Sequence, residues 1–375
     1  MFFIIFVFLV FFTIMDLKYL PSPYIWGALS WGVCCLAYAL RATRSTARIV
    51  FANLSIFLFC IGLLEAGAAI LSSKPDRWVY SQDYYNLDDV LGYAPHKNIK
   101  VSCQRYRGSR LLYNAAYTIN KDGLRISPPV GQAGCRDAIL FFGCSFTYGE
   151  GLNDNETMPY IVGERSKTQV YNFGFHGYGP HQMLSAIEHG LVDEVIDCQP
   201  RYAIYQTGFF HVERAAGYYQ WDPHGPKYVL TRDGRVKYAG HFDDKPMKRL
   251  MDGLLRQSAI YNTFIASRSW VTKKDIERFI AIVVTAKNEL VEKYPGLEFH
   301  VIYWGPAGKD DRMIIARLEK AGIKIHLLRN ILVPKTNDWH KEFLAPDGHP
   351  SFNANKTFAD YIIRNILHKP AAGGT

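Results

Sequence analysis

Three side chains in two well-separated turns have the types that acyl transfer needs. Ser145 lies in Gly143-Cys144-Ser145-Phe146-Thr147-Tyr148-Gly149, and far downstream Asp347 and His349 share Pro346-Asp347-Gly348-His349-Pro350. A serine hydroxyl is a weak nucleophile until an imidazole takes its proton, and the imidazole works only when a carboxylate holds it in the right tautomer. Each turn has an ordinary structural reading: Gly-x-Ser is a common strand-to-helix turn, and Asp-Gly-His-Pro is a polar turn closed by proline. That each carries the partner the other lacks favours chemistry. Cys144 is the competing nucleophile, but its spacing to Gly143 and Thr147 favours Ser145.

The elements around these residues must bring them together. Residues 138–142 form an unbroken apolar run, which predicts a strand buried on both faces. Ser145 then falls just beyond its carboxyl end, where open α/β sheets bind ligands. Further strands are expected at 169–173, 201–205, 297–303 and 323–328. Helical spacing marks 181–192, through Met183, Leu184, Ile187 and Leu191, and 311–320, through Ile314, Ile315 and Leu318. A closing helix is expected over 353–367. Strands alternating with helices imply a parallel sheet with helices on both faces, a flavodoxin-like three-layer α/β/α arrangement. Residues 209–270 exceed what one crossover needs and read as an insertion with a short helix and a hairpin around Asp233-Gly234. Its Tyr218, Tyr219 and Trp221 suit stacking on sugar rings; the alternative is that they pack the insertion onto the sheet.

Thr147 stands where the Gly-x-Ser-x-Gly elbow of the α/β-hydrolases needs its last glycine. The Ser145 stretch instead resembles the first block of the SGNH (GDSL-type) hydrolases, with Cys144 in place of the usual aspartate. Asn172-Phe173-Gly174-Phe175-His176-Gly177-Tyr178-Gly179-Pro180 resembles the second block, and the Asp347/His349 turn resembles the last. The resemblance spans about residues 136–368 and implies a triad of Ser145, His349 and Asp347, with an oxyanion hole from the N–H groups of Ser145 and Gly174. The third block departs from the family. No asparagine is present, so His211 is the expected third donor, with Gln206 as a substitute; His211-x-x-Arg214 resembles a variant in membrane-linked bacterial members. The point matters because one lost oxyanion donor costs about 10²–10³ in turnover. Tyr178, Arg214 and Trp221 are the candidate substrate-binding side chains. The resemblance implies a hydrolase of ester bonds with no cofactor. Its substrate would be an O-acetyl group on an envelope glycan or lipid-linked saccharide, with an acyltransferase, a lipase or thioesterase, and a silent glycan-binding protein as rivals.

The first 71 residues carry three apolar stretches, at 1–20, 21–40 and 49–71, where a span takes about 20 residues. The first lacks the basic start of a signal peptide and reads as part of a membrane anchor, or as a retained leader. Arg41, Arg44 and Arg48 between the second and third stretches place that loop in the cytoplasm, so everything after Leu71 faces outward from a bacterial inner membrane. Glu65, near the outer end of the third stretch, either reaches the interface or makes an intramembrane contact. The domains expected are the anchor (1–71), a β-rich lead segment (72–136) containing Tyr117 to Arg125, the hydrolase-like domain (137–368) and a disordered tail (369–375). The net charge of +9 is spread without a basic run, which argues against nucleic acid, and the histidines show no metal-ligand spacing. The even count among Cys103, Cys135, Cys144 and Cys198 permits disulfides outside the cytoplasm, with Cys103–Cys135 the candidate.

Overall fold

The computed structural model describes residues 22–71, 76–131, 135, 137–219, 221–266, 270–305, 308–332 and 339–367. The first apolar stretch and the tail expected to be disordered lie outside the described residues. The chain forms two compact units, Met1–Pro75 with Lys245–Trp270, and Asp76–Asp244 with Val271–Thr375.

In the first unit, α1 (Pro23–Arg41) and α2 (Ser45–Leu71) are each long and apolar enough to cross a bilayer. Small residues let them approach. A Cβ on Gly62 would stand 3.1 Å from Leu29, and the Ser55 hydroxyl donates to the Gly32 carbonyl at 2.7 Å. Their outward faces are apolar, with Leu40, Leu63, Leu64 and Ile70 exposed. The last part of the expected insertion, Lys245–Trp270, groups with these helices.

The second unit begins with β1 (Arg77–Tyr80), β2 (Tyr85–Asp88), β3 (Gly92–Pro95), β4 (Ile99–Arg107) and β5 (Arg110–Ile119). β1, β4 and β5 form one antiparallel sheet, and β2 pairs with β3. The central sheet follows: β6 (Ala138–Phe142), β7 (Val170–Asn172) and β8 (Pro200–Gly208); then, after the hairpin β9 (Pro226–Leu230) and β10 (Val236–His241), β11 (Glu298–Trp304) and β12 (Lys324–Leu327). All five central strands are parallel, in the order β12-β11-β8-β6-β7. Counted along this sheet alone, that is the 2-1-3-4-5 flavodoxin order.

Alternation along β6 divides the core. Ala138, Leu140 and Phe142 pack with α5 (Pro180–Glu188), α6 (Phe210–Ala216), α7 (Lys273–Lys293) and α8 (Lys309–Lys320), whereas Ile139 and Phe141 pack with α4 (Met158–Ser166) and α9 (Phe352–Asn365). Burial on both faces explains the uninterrupted apolar run. The helix expected over 181–192 stops at Glu188, because Gly190 turns left-handed (φ 76°) and a second short helix, Leu191–Val195, begins. The disulfide expectation is corrected. Cys135 bonds Cys198, while Cys103 points with Val101 into the core beneath β4 and β5 and remains a free thiol.

Candidate active site

Ser145 opens α3 (Ser145–Tyr148), immediately after β6, at the point where the strand order reverses between β6 and β8. Gly143 makes the turn possible. Its φ is +153°, and a Cβ there would lie 2.2 Å from the Thr147 hydroxyl oxygen. Thr147 donates to the Gln206 side-chain oxygen at 2.8 Å, tying the turn to β8. On the other side the buried Arg125 donates to the carbonyls of Tyr148, Gly149 and Leu152 and lies 4.7 Å from the ring centres of Tyr117 and Tyr148. As the first helical residue, Ser145 has an N–H with no intrahelical partner, so that donor is free to face an oxyanion.

The downstream turn meets this serine. His349 Nε2 is 2.9 Å from Ser145 Oγ, and His349 Nδ1 is 2.8 Å from Asp347 Oδ2. Asp347 accepts a hydrogen bond from the Nδ1–H of His349, which leaves the Nε2 lone pair facing the hydroxyl, the tautomer that a base needs. Arg105 Nη1 donates to Asp347 Oδ2 at 2.8 Å and also lies 3.3 Å from Glu150 Oε1. Glu150, reached from α3 by one tight turn, accepts from Trp78, Tyr113 and His176, and its Oε2 stands 3.5 Å from His349 Nε2. Burial disfavours the charged imidazole, but Glu150 and Asp347 outweigh it and hold the His349 pKa above the ordinary histidine value. Burial likewise opposes ionisation of Asp347 and Glu150, yet the hydrogen bond and charge of His349, with Arg105, keep Asp347 low. The charges of His349 and His176 keep Glu150 low.

Ser145, His349, Arg214 and Trp221 line one open pocket of about 720 Å³. The other expected site residues lie elsewhere. His211 is completely buried; its Nδ1 faces the hydroxyls of Tyr205 (2.6 Å) and Thr207 (3.0 Å), and its Nε2 faces Arg214, so neither nitrogen is left for an oxyanion. Burial and the neighbouring Arg214 push its pKa far down, and it serves as a neutral core link. Gln206, the substitute, is buried and absent from the pocket wall, and its side-chain oxygen accepts from Thr147. The Gly174 N–H donates to Asn172 Oδ1 at 3.1 Å, and this glycine is needed for a different reason: a Cβ would come within 2.9 Å of Thr147 and of the Tyr148 nitrogen. Tyr178 donates to the Tyr93 carbonyl and is absent from the pocket wall. From the second block the pocket takes Phe175, His176 and Gly177.

Sequence reasoning missed Arg105, Glu150 and the wall supplied by the lead segment, which includes Trp78, Tyr85 and Tyr93. A weak signal existed for Arg105: it continues the inward alternation of Val101 and Cys103, an odd place for a cation without an acidic partner.

No family model matches this chain, and no curated protein sequence matches it. Solved structures similar to it include a family two carbohydrate esterase from Clostridium thermocellum in complex with cellohexaose, at 10% identity and TM-score 0.37, covering 70% of this chain and 68% of that one. An acetyl xylan esterase from the rumen bacterium Butyrivibrio proteoclasticus matches at 14% identity and TM-score 0.34, over 66% and 68%. A lipolytic protein of the G-D-S-L family from Desulfitobacterium hafniense matches at 14% identity and TM-score 0.36, over 61% and 99%.

Proposed function

We propose that this chain is a membrane-anchored serine esterase of the SGNH kind. It removes acyl groups, O-acetyl above all, from an envelope glycan or lipid-linked saccharide, and its catalytic unit faces outward from a bacterial inner membrane. The observation that carries the reading is the continuous relay Ser145–His349–Asp347, with 2.9 and 2.8 Å contacts, opening into a pocket of about 720 Å³. His349 takes the Ser145 proton as Oγ attacks the ester carbonyl, and Asp347 and Glu150 stabilise the imidazolium that forms. The Ser145 N–H meets the developing oxyanion. His349 then returns its proton to the departing alkoxide, and water, activated by the same imidazole, releases the acyl group.

The pocket chemistry supports a sugar ester. Trp78, Tyr85, Tyr93 and Trp221 offer flat apolar faces, and Arg105, Glu150, His176 and Arg214 offer polar groups among them. Arg41, Arg44 and Arg48, in a stretch of sequence (41–48) that contains no Asp or Glu, support the orientation.

A fluorophosphonate probe on the full-length protein in detergent tests the chemistry. Covalent labelling is expected in the native chain and absent in Ser145→Ala. No labelling of folded native protein would favour a silent binding protein. Comparing acetyl with long-chain p-nitrophenyl esters separates an acetylesterase from a lipase, and adding oligosaccharide acceptors detects acyl transfer.

A further inference from the structure

The segment Lys245–Trp270 departs from the rest of the second half of the chain by grouping with α1 and α2. Its helix, Pro246–Leu255, places Met247, Leu250, Met251 and Leu254 along one stripe at i, i+3, i+4 and i+7, and all four are exposed, Met247 by 70% and Leu250 by 57%. The opposite side carries Lys248, Arg249, Asp252 and Arg256, with Lys248 paired to Asp252 at 2.7 Å. An apolar stripe left exposed on four side chains and backed by mostly cationic ones is the pattern of a helix lying flat in a bilayer interface.

The contacts at its C-terminal end say where the helix is held. Tyr24, in the first turn of α1, donates to the Leu254 carbonyl at 2.8 Å. Glu65, buried near the far end of α2, gathers the chain that follows: it accepts from the Ser22 hydroxyl at 2.6 Å, from the Ser258 hydroxyl and the Ile260 N–H at 3.1 Å, and from the Ala259 N–H. Tyr24 opens α1 and Glu65 lies within two turns of the last residue of α2, so both ties sit at the same end of the hairpin. A carboxylate in an apolar span is costly, and here four donors satisfy it. The ties fix the amphipathic helix at the level where the two apolar helices would leave the hydrocarbon.

We infer that Pro246–Leu255 is an interfacial helix, with Met247, Leu250, Met251 and Leu254 buried in the lipid of the outer leaflet and Glu65 as the staple that holds it there. The occupant of the apolar stripe is the bilayer itself. The stripe belongs to the same unit as two helices that already present apolar surface outward, and its cationic side suits anionic headgroups. This rests on the membrane reading of α1 and α2.

The test uses the full-length chain with Cys34 and Cys35 changed to alanine, reconstituted in vesicles of phosphatidylethanolamine and phosphatidylglycerol. A nitrobenzoxadiazole fluorophore is placed in turn on Met251→Cys, on Lys248→Cys, both with Cys60→Ala, and on the native Cys60 of α2. Far-ultraviolet circular dichroism and a melting curve matching the native chain check that each chain is folded. Nitroxide lipids should quench the 251 probe at a depth of roughly 5–10 Å while aqueous iodide reaches it poorly; the 248 probe should behave in the opposite way. Cys60, roughly 16 Å along α2 from its outer end at 1.5 Å per residue, should read deeper than either. If 251 and 248 are equally open to iodide while Cys60 is in lipid, the inference fails and the membrane reading survives. If Cys60 is also open to iodide, both fail. A 251 probe shielded from iodide but untouched by nitroxide lipid means that a second copy covers the stripe, which also overturns the inference.

Discussion

At the scale of single residues, His349 is pulled between burial and two carboxylates. The base form must be neutral, so activity should fall as pH drops through the His349 pKa, which Glu150 and Asp347 hold above the ordinary histidine value. The acid limb of kcat/KM should therefore lie higher than for an exposed histidine. Glu150→Gln removes the carboxylate 3.5 Å from Nε2, and the limb should move to lower pH by about one pH unit. A pH profile with p-nitrophenyl acetate checks both expectations, and an unmoved limb would show that Glu150 does not act on the imidazole. His211 illustrates the opposite case. Its residue type suits an oxyanion donor, but Tyr205, Thr207 and Arg214 take up its ring.

At the scale of elements, the position of Ser145 depends on how α3 leaves β6. Gly143 sits at a positive φ against Thr147, and Gly174 lets the second-block loop press on the same turn. Gly143→Ala should displace Thr147, break its bond to Gln206 and move Ser145 away from His349. A destabilisation of about 1–3 kcal/mol is expected from the overpacking, read as a lower melting temperature in detergent, together with loss of fluorophosphonate labelling. A variant that melts and labels like the native chain would contradict the geometry given for the turn. β4 and β5 matter in the same way: β4 carries Arg105 to Asp347, and β5 carries Tyr113 to Glu150.

At the scale of the whole molecule, the Cys135–Cys198 bridge closes a 63-residue span that includes β6, Ser145 and β7. The loop-entropy account assigns such a crosslink roughly 4 kcal/mol. Cys135→Ser/Cys198→Ser should therefore melt several degrees lower, and alkylation before lysis should find both thiols blocked in the native protein if the proposed outward orientation holds. Free thiols at both positions would contradict the proposed orientation.

Local order was legible in the amino acids. The buried strand 138–142, the alternation of strands and helices, the Asp-Gly hairpin and the pair of turns bearing Ser145 and Asp347/His349 all follow from nearest-neighbour periodicity and turn chemistry. Only the tertiary structure decided which polar groups meet. Glu150 with His176, Arg105 with Asp347, Cys135 with Cys198 and Glu65 with Ser258 are partners distant along the chain. A buried donor or acceptor takes whatever partner packing brings within reach. Pairing of that kind carries no short-range signature, and for this reason the turns bearing Ser145 and Asp347/His349 could be read early while the groups that surround them and the walls of the pocket could not.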